Sequence, residues 1–216
     1  MSELHFNNAE EVPLTRRPLL IVDADEVLFL FVEGLSNFLA ERDLILDLSS
    51  YRLHGNIKNR DGIAIADAEV TELLGVFRRT VDSLNCVEGA RESLDRLSPL
   101  LDIVVLSNVS KAQASARLRN LALHGLAYPL VTNGGLKGPA VKKLAERSGR
   151  PAFFVDDIPQ QLASAAEAAP DVFCIHLIGD ERLKPLLPAA PHAHLRADTW
   201  RDAEAFILSR LAEAEQ

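Results

Sequence analysis

The chain has 216 residues, 48% of them hydrophobic and 25% charged, with a formal net charge of −8. This balance is that of a soluble globular protein with one domain of ordinary size, or with a core and a small accessory domain. It excludes a nonspecific nucleic-acid binder, which needs a basic face, and no apolar run is long enough to span a bilayer.

Residues 1–17 are polar and aperiodic and read as a loose arm. They lack the basic-then-apolar order of a secretory signal, so the expected location is cytoplasmic and the sequon Asn108-Val109-Ser110 is read as chance. Leu19 to Val22 then run directly into Asp23 and Asp25. A continuous apolar run bounded by polar residues predicts a central parallel strand covered on both faces. The form recurs at 102–108, 152–157 and 171–177, and more weakly at 128–135. Between these runs lie helical patterns. Ala90, Leu94 and Leu97 fall near helical spacing, and Ser110 is placed to cap the helix that follows it. Pro139 sits in a first turn whose helix ends before Gly149, and another helix follows Pro159. Strands alternating with helices predict an α/β fold, a doubly wound Rossmann-like parallel sheet. The working end of such a sheet is the carboxyl end of its strands.

Residues 30–86 break the alternation. Two helical patterns flank a polar, basic stretch, 51–62, with a turn at Asp61-Gly62. The expected division is a core of residues 1–29 and 87–216 and a small, mainly helical insert of residues 30–86 placed over the sheet. Val87-Glu88-Gly89 is the return linker, and a final helix spans about 200–214. Cys86 and Cys174 have no metal-ligand spacing and read as two buried small hydrophobes.

The polar residues that end the apolar runs carry the chemistry. Two carboxylates as close as Asp23 and Asp25 repel each other unless a cation lies between them or one takes a proton. One can attack phosphorus while the other protonates a leaving group and then activates water. Ser107, helped by Asn108 and nearby N–H groups, is placed to hydrogen-bond a phosphoryl oxygen. Lys137 lies between a glycine pair and a helix start, where a lysine neutralises both a carboxylate and an incoming phosphate. Asp156 and Asp157 end a buried run, where carboxylates need pairing or a metal, and magnesium (Mg²⁺) prefers such oxygen ligands. Asp157 is also placed to cap the following helix.

Each of these signals is common alone. Their order, LLIVDADEV, DIVVLSN, LKGPAVKKL and AFFVDD, resembles the haloacid dehalogenase-like hydrolase superfamily over roughly residues 18–210. The resemblance implies Asp23 as nucleophile and Mg²⁺ ligand, and Asp25 as general acid/base that binds the metal through its backbone carbonyl. It implies phosphoryl binding by Ser107, a steadying role for Lys137, and Asp157 as main acidic metal ligand supported by Asp156. The insert resembles that superfamily's helical cap, with Glu88-Gly89-Ala90 as its hinge. Glu26 stands where many of its phosphatases have glycine, whereas Val27 fits the pattern. Asp25 argues against the dehalogenase branch, whose members lack it and need no Mg²⁺.

The expected activity is therefore Mg²⁺-dependent hydrolysis of a small phosphorylated molecule, with no nucleic-acid or membrane partner. A phosphotransferase or phosphomutase, or a non-catalytic phospho-ligand binder, is the alternative. A response-regulator receiver uses similar residues, but there the acidic pair comes first. Arg52, His54, Lys58 and Arg60 are candidates to meet an anionic substrate, and His192 and His194 form an HxH without an evident third ligand. Oligomeric state and natural substrate are not encoded in any motif.

Overall fold

Leu19, Leu20, Ile21 and Val22 are all fully buried at the centre of a parallel sheet in the computed structural model, which describes residues 4–214. In chain order the elements begin β1 (His5–Phe6), β2 (Leu19–Val22), α1 (Phe31–Ala40), β3 (Ile45–Leu46), β4 (Ile57–Lys58) and α2 (Asp67–Phe77). They continue with α3 (Ala90–Leu97), β5 (Asp102–Ser107), α4 (Lys111–Leu123), β6 (Leu130–Thr132) and α5 (Gly138–Ser148). The last are β7 (Ala152–Asp156), α6 (Pro159–Ala168), β8 (Phe173–Leu177), β9 (Leu195–Ala197) and α7 (Trp200–Ala214). The large sheet runs β1-β6-β5-β2-β7-β8-β9 and every pairing is parallel.

Alternate residues of β2 serve opposite cores, as the two-residue strand period requires. Leu20 and Val22 pack with Leu94 of α3, Leu118 of α4 and Ile207 of α7. Leu19 and Ile21 pack with Val141 and Leu144 of α5 and Leu162 of α6. Each such side chain contributes about 1.5–3 kcal/mol by leaving water. This is the doubly wound sheet that the alternation predicts.

Register fixes the site. Val22 pairs with Val105 on one side and Val155 on the other. Asp23 therefore leaves β2 at the level where β5 ends with Ser107 and β7 ends with Asp156. Ser110 does sit at the N-cap of α4, where its N–H donates to the Gln113 side chain at 2.9 Å. Pro139 lies in the first turn of α5, and Gly149 ends that helix in the left-handed region at φ 62°.

The N-terminal segment departs from the expected loose arm. His5 and Phe6 add β1 to the sheet edge, Val12 is fully buried, and the Thr15 N–H and hydroxyl both donate to Asp102. A two-residue edge strand is too short to show a period. Between α1 and α2 of the insert, β3 and β4 form a short antiparallel pair, β3 before the basic stretch and β4 inside it, and α2 ends at Phe77. Its helices meet through Phe31 and Phe77, whose ring centroids lie 5.1 Å apart. Leaving and returning chains run side by side, with Leu30 N–H donating to Asn85 O and Val87 N–H to Leu28 O, both at 2.9 Å.

Three smaller expectations also change. Cys174 is buried but Cys86 is only half-buried. The helix cap falls on Ile158, whose N–H donates to Asp156 rather than Asp157. His194 is tied to Cys174, accepting its N–H at Nδ1 (3.0 Å), and His192 is exposed.

Candidate active site

The chain leaves β2 into a tight loop. Leu28 and Phe29 N–H groups donate to Ala24 O, and Glu26 N–H donates to Phe29 O. This loop turns Asp23 and Asp25 toward the carboxyl end of the sheet. Asp23 is 6% exposed, while Asp25 is partly open.

Lys137 precedes α5 and is 2% exposed. Its Nζ lies 2.6 Å from Asp23 Oδ1 and 2.7 Å from Asp156 Oδ2. The start of α5 is held by α6: Lys137 N–H donates to Gln161 Oε1 at 2.8 Å, and Gly138 N–H donates to Ser164 Oγ at 3.2 Å. Gly138 is needed there, because a Cβ would fall 2.2 Å from Ser164 O. Burial works to lower the Lys137 pKa, but Asp156 and Asp23 outweigh it and the net shift is upward. Lys137 is thus a fixed cation.

Asp23, Asp156 and Asp157 offer carboxylate oxygens within 4.8 Å of one another. Burial pushes the Asp23 carboxyl up to about 7, with Asp156 and Asp25 adding to the push and Lys137 opposing it. Burial also drives the Asp157 carboxyl well above its usual range, with Asp156 and Asp23 adding to it. Fully ionised, three buried carboxylates facing one ammonium would carry an excess of two negative charges, and the raised pKa values of Asp23 and Asp157 reflect the cost of that excess. A hard divalent cation fits this donor set, because it offsets that excess and takes oxygen ligands. Asp23 and Asp157, with Asp156 beside them, are the carboxylates that would hold such a cation. Asp156, fully buried and engaged by Lys137 and Ile158 N–H, supports them.

A cavity of about 280 Å³ lies over these groups. Ser107 and Asn108 line it from β5, with Asp25, Glu26 and Gln161. Ser107 is 1% exposed, and Asn108 donates to Gly135 O at 2.9 Å, which ties the β5 end to the Lys137 loop. The insert roofs the cavity with Leu48, Tyr51, Arg52, Leu53 and Arg78. Among the four basic candidates of the insert, Arg52 alone lines it. Lys58 pairs with Asp47, Arg60 with Asp43, and His54 bonds Thr71.

Tyr51, Arg117, Glu26 and Gln161 take parts that sequence order did not assign. The Tyr51 hydroxyl donates to an Asp157 carboxylate oxygen, and burial followed by the Asp157 charge raises its pKa. Arg117 pairs with Asp25. Glu26 adopts φ 59°, is 2% exposed, and accepts the Val32 N–H near the start of α1 at 2.7 Å. Burial pushes its carboxyl up to about 8. The positive φ explains why a glycine would be at ease here. Two of them carried a sequence signal: Glu26 stands in a glycine's usual place, and Arg117 lies in the apolar stripe of α4 with Ala114, Leu118 and Leu121.

No protein-family model matches the chain, and no curated protein matches it in sequence. Solved structures match its fold. A haloacid dehalogenase-like protein of unknown function from Agrobacterium tumefaciens is 16% identical, with 90% of this chain and 99% of that one covered and a TM-score of 0.64. A HAD-superfamily hydrolase of subfamily IA from Geobacter sulfurreducens is 23% identical, covering 89% and 97%, at TM-score 0.57. A defluorinating L-2-haloacid dehalogenase is 12% identical, covering 91% and 99%, at TM-score 0.60. The chain has the haloacid dehalogenase-like fold.

Proposed function

We propose that this chain is a Mg²⁺-dependent phosphohydrolase that acts on a small organic phosphate monoester through an aspartyl phosphate on Asp23. The observation that supports it most is the meeting of five groups at one cavity, with a sixth, Asp156, buried behind them against Lys137. Asp23, Asp25, Ser107, Lys137, Asp156 and Asp157 come from four separate segments and converge at the carboxyl end of the sheet. Asp25 favours this reading over dehalogenation, because it adds an acid/base group that a phosphate ester needs for its leaving oxygen.

The residues divide the work. Ser107, Asn108 and Lys137 bind the phosphoryl oxygens and align phosphorus with Asp23. An Asp23 oxygen bonds to phosphorus as the ester P–O bond breaks, and the Asp25 carboxyl gives its proton to the departing oxygen. Water then bonds to phosphorus, its proton passes to the Asp25 carboxylate, and the P–O bond to Asp23 breaks. When bound, Mg²⁺ supplies positive charge that offsets the charge of the phosphoryl group. The roof from the insert limits water in the cavity, and Arg52 with Arg78 gives it a cationic rim. The substrate is a soluble metabolite, and the proposal places no nucleic acid or membrane at this site.

The test is hydrolysis of phenyl phosphate with and without Mg²⁺, with Asp23→Asn as control. Metal-dependent turnover that the substitution abolishes is the expected result. Turnover that survives exhaustive chelation, or survives in Asp23→Asn, contradicts the proposal.

A further inference from the structure

Arg117 faces the core from α4 and its side chain is 1% exposed. Its Nη2 donates to Asp25 Oδ1. Its guanidinium lies 5.3 Å from the centroid of the Phe29 ring, which closes the Asp25 loop. Nε and Nη1 are buried without a partner among the described residues. Such a placement is costly. The ion gives up its hydration, and unpaired buried N–H groups add to the penalty. A methionine or leucine at position 117 would extend the stripe of Ala114, Leu118 and Leu121 with no such cost. Stability therefore gives no account of an arginine here.

Position does. Asp25 stands on a loop, and its side chain is 32% exposed toward the cavity. An unanchored aspartate there would sample several rotamers. The Arg117 N–H engages Oδ1 whether or not Oδ2 carries a proton, so Oδ2 remains for proton exchange. We propose that Arg117 is the positioning residue that holds Asp25 in the rotamer from which it exchanges protons with the leaving oxygen and with water. Arg117 itself neither gives nor takes a proton, and it acts only through Asp25. The inference rests on the acid/base role given to Asp25 above.

The experiment is a double-substitution cycle in the full chain, with phenyl phosphate at saturating Mg²⁺. Arg117→Gln and Arg117→Lys are each made in the wild type and in Asp25→Asn. Arg117→Gln should lower kcat roughly 100-fold with KM changed less than about threefold, the scale of a misplaced acid/base group. Arg117→Lys should recover kcat to within about fivefold of wild type, since an ammonium can still anchor Oδ1. In the Asp25→Asn background, either change should alter kcat by less than about twofold. An equal loss in both backgrounds overturns the inference, as does an unchanged kcat in Arg117→Gln. If Arg117→Gln does not fold, Arg117→Met, which keeps the stripe apolar, should show the same loss in wild type and the same insensitivity in Asp25→Asn. A wild type without turnover would remove the acid/base reading and this inference together, whereas turnover with additive losses would remove this inference alone.

Discussion

Replacing Lys137 with methionine would remove a cation shared by Asp23 and Asp156, at 2.6 and 2.7 Å. Methionine has a similar reach and adapts to its surroundings, so little packing is lost. The electrostatic loss dominates. Breaking a buried pair by removing one partner destabilises by about 3–5 kcal/mol. Protonation sets a ceiling: a carboxylate with an unfolded pKa near 3.9 takes up a proton at pH 7 for about 4 kcal/mol, roughly three units at 1.36 kcal/mol each. The two limits meet at about 3–4 kcal/mol. In a chain of 216 residues each kcal/mol moves the melting temperature by about 2–4 °C, which predicts a fall of roughly 6–16 °C. A divalent ion among the same carboxylates would stand in for part of the lost charge, so Lys137→Met should gain more stability from Mg²⁺ than the wild type does. Denaturant titration and thermal melting, each with and without the metal, measure both effects. A metal-free Lys137→Met protein within about 1 kcal/mol of wild type would refute the buried three-centre ion pair.

Two further substitutions probe the groups around the site, and a third serves as a control. Tyr51→Phe removes the hydroxyl that donates to Asp157 and should tighten Mg²⁺ binding by roughly tenfold, the value of a charged hydrogen bond near 1.5 kcal/mol; calorimetric titration with an unchanged affinity would contradict it. Gly138→Ala would place a Cβ 2.2 Å from Ser164 O and should destabilise by about 1–3 kcal/mol. Gly75→Ala, at an open position inside α2, should instead stabilise by about 1 kcal/mol, and melting curves of the pair distinguish crowding from helix propensity.

The core of this fold was legible because buried parallel strands write themselves as unbroken apolar runs. Leu19–Val22 and Ala152–Asp156 announce both their burial and the end at which the chain turns polar. For the same reason Asp23, Ser107 and Asp156 were located before any geometry was known. The edges were not legible. His5–Phe6 and Leu195–Ala197 are too short and too mixed to carry a period, and they become strands only because a neighbour offers its free edge. Antiparallel β3 and β4 were hidden for a similar reason, each being only two residues long and β4 lying in a polar, basic stretch. The supporting side chains are tertiary facts. Tyr51 reaches Asp157 across 106 positions, and Arg117 reaches Asp25 across 92. No local pattern fixes either contact, although a cation set in the apolar stripe of α4 marks Arg117 as anomalous. Glu26 shows the converse, since its left-handed backbone is imposed by the loop and not by a preference of its own.

The account stands or falls on the nucleophile. The most direct measurement is an acid quench of the enzyme during turnover of a ³²P-labelled phosphate ester with Mg²⁺, followed by mapping of the labelled residue. Label on Asp23, lost in Asp23→Asn and on chelation of the metal, is the predicted result. Turnover that leaves label elsewhere, or that continues undiminished in Asp23→Asn, would contradict the account.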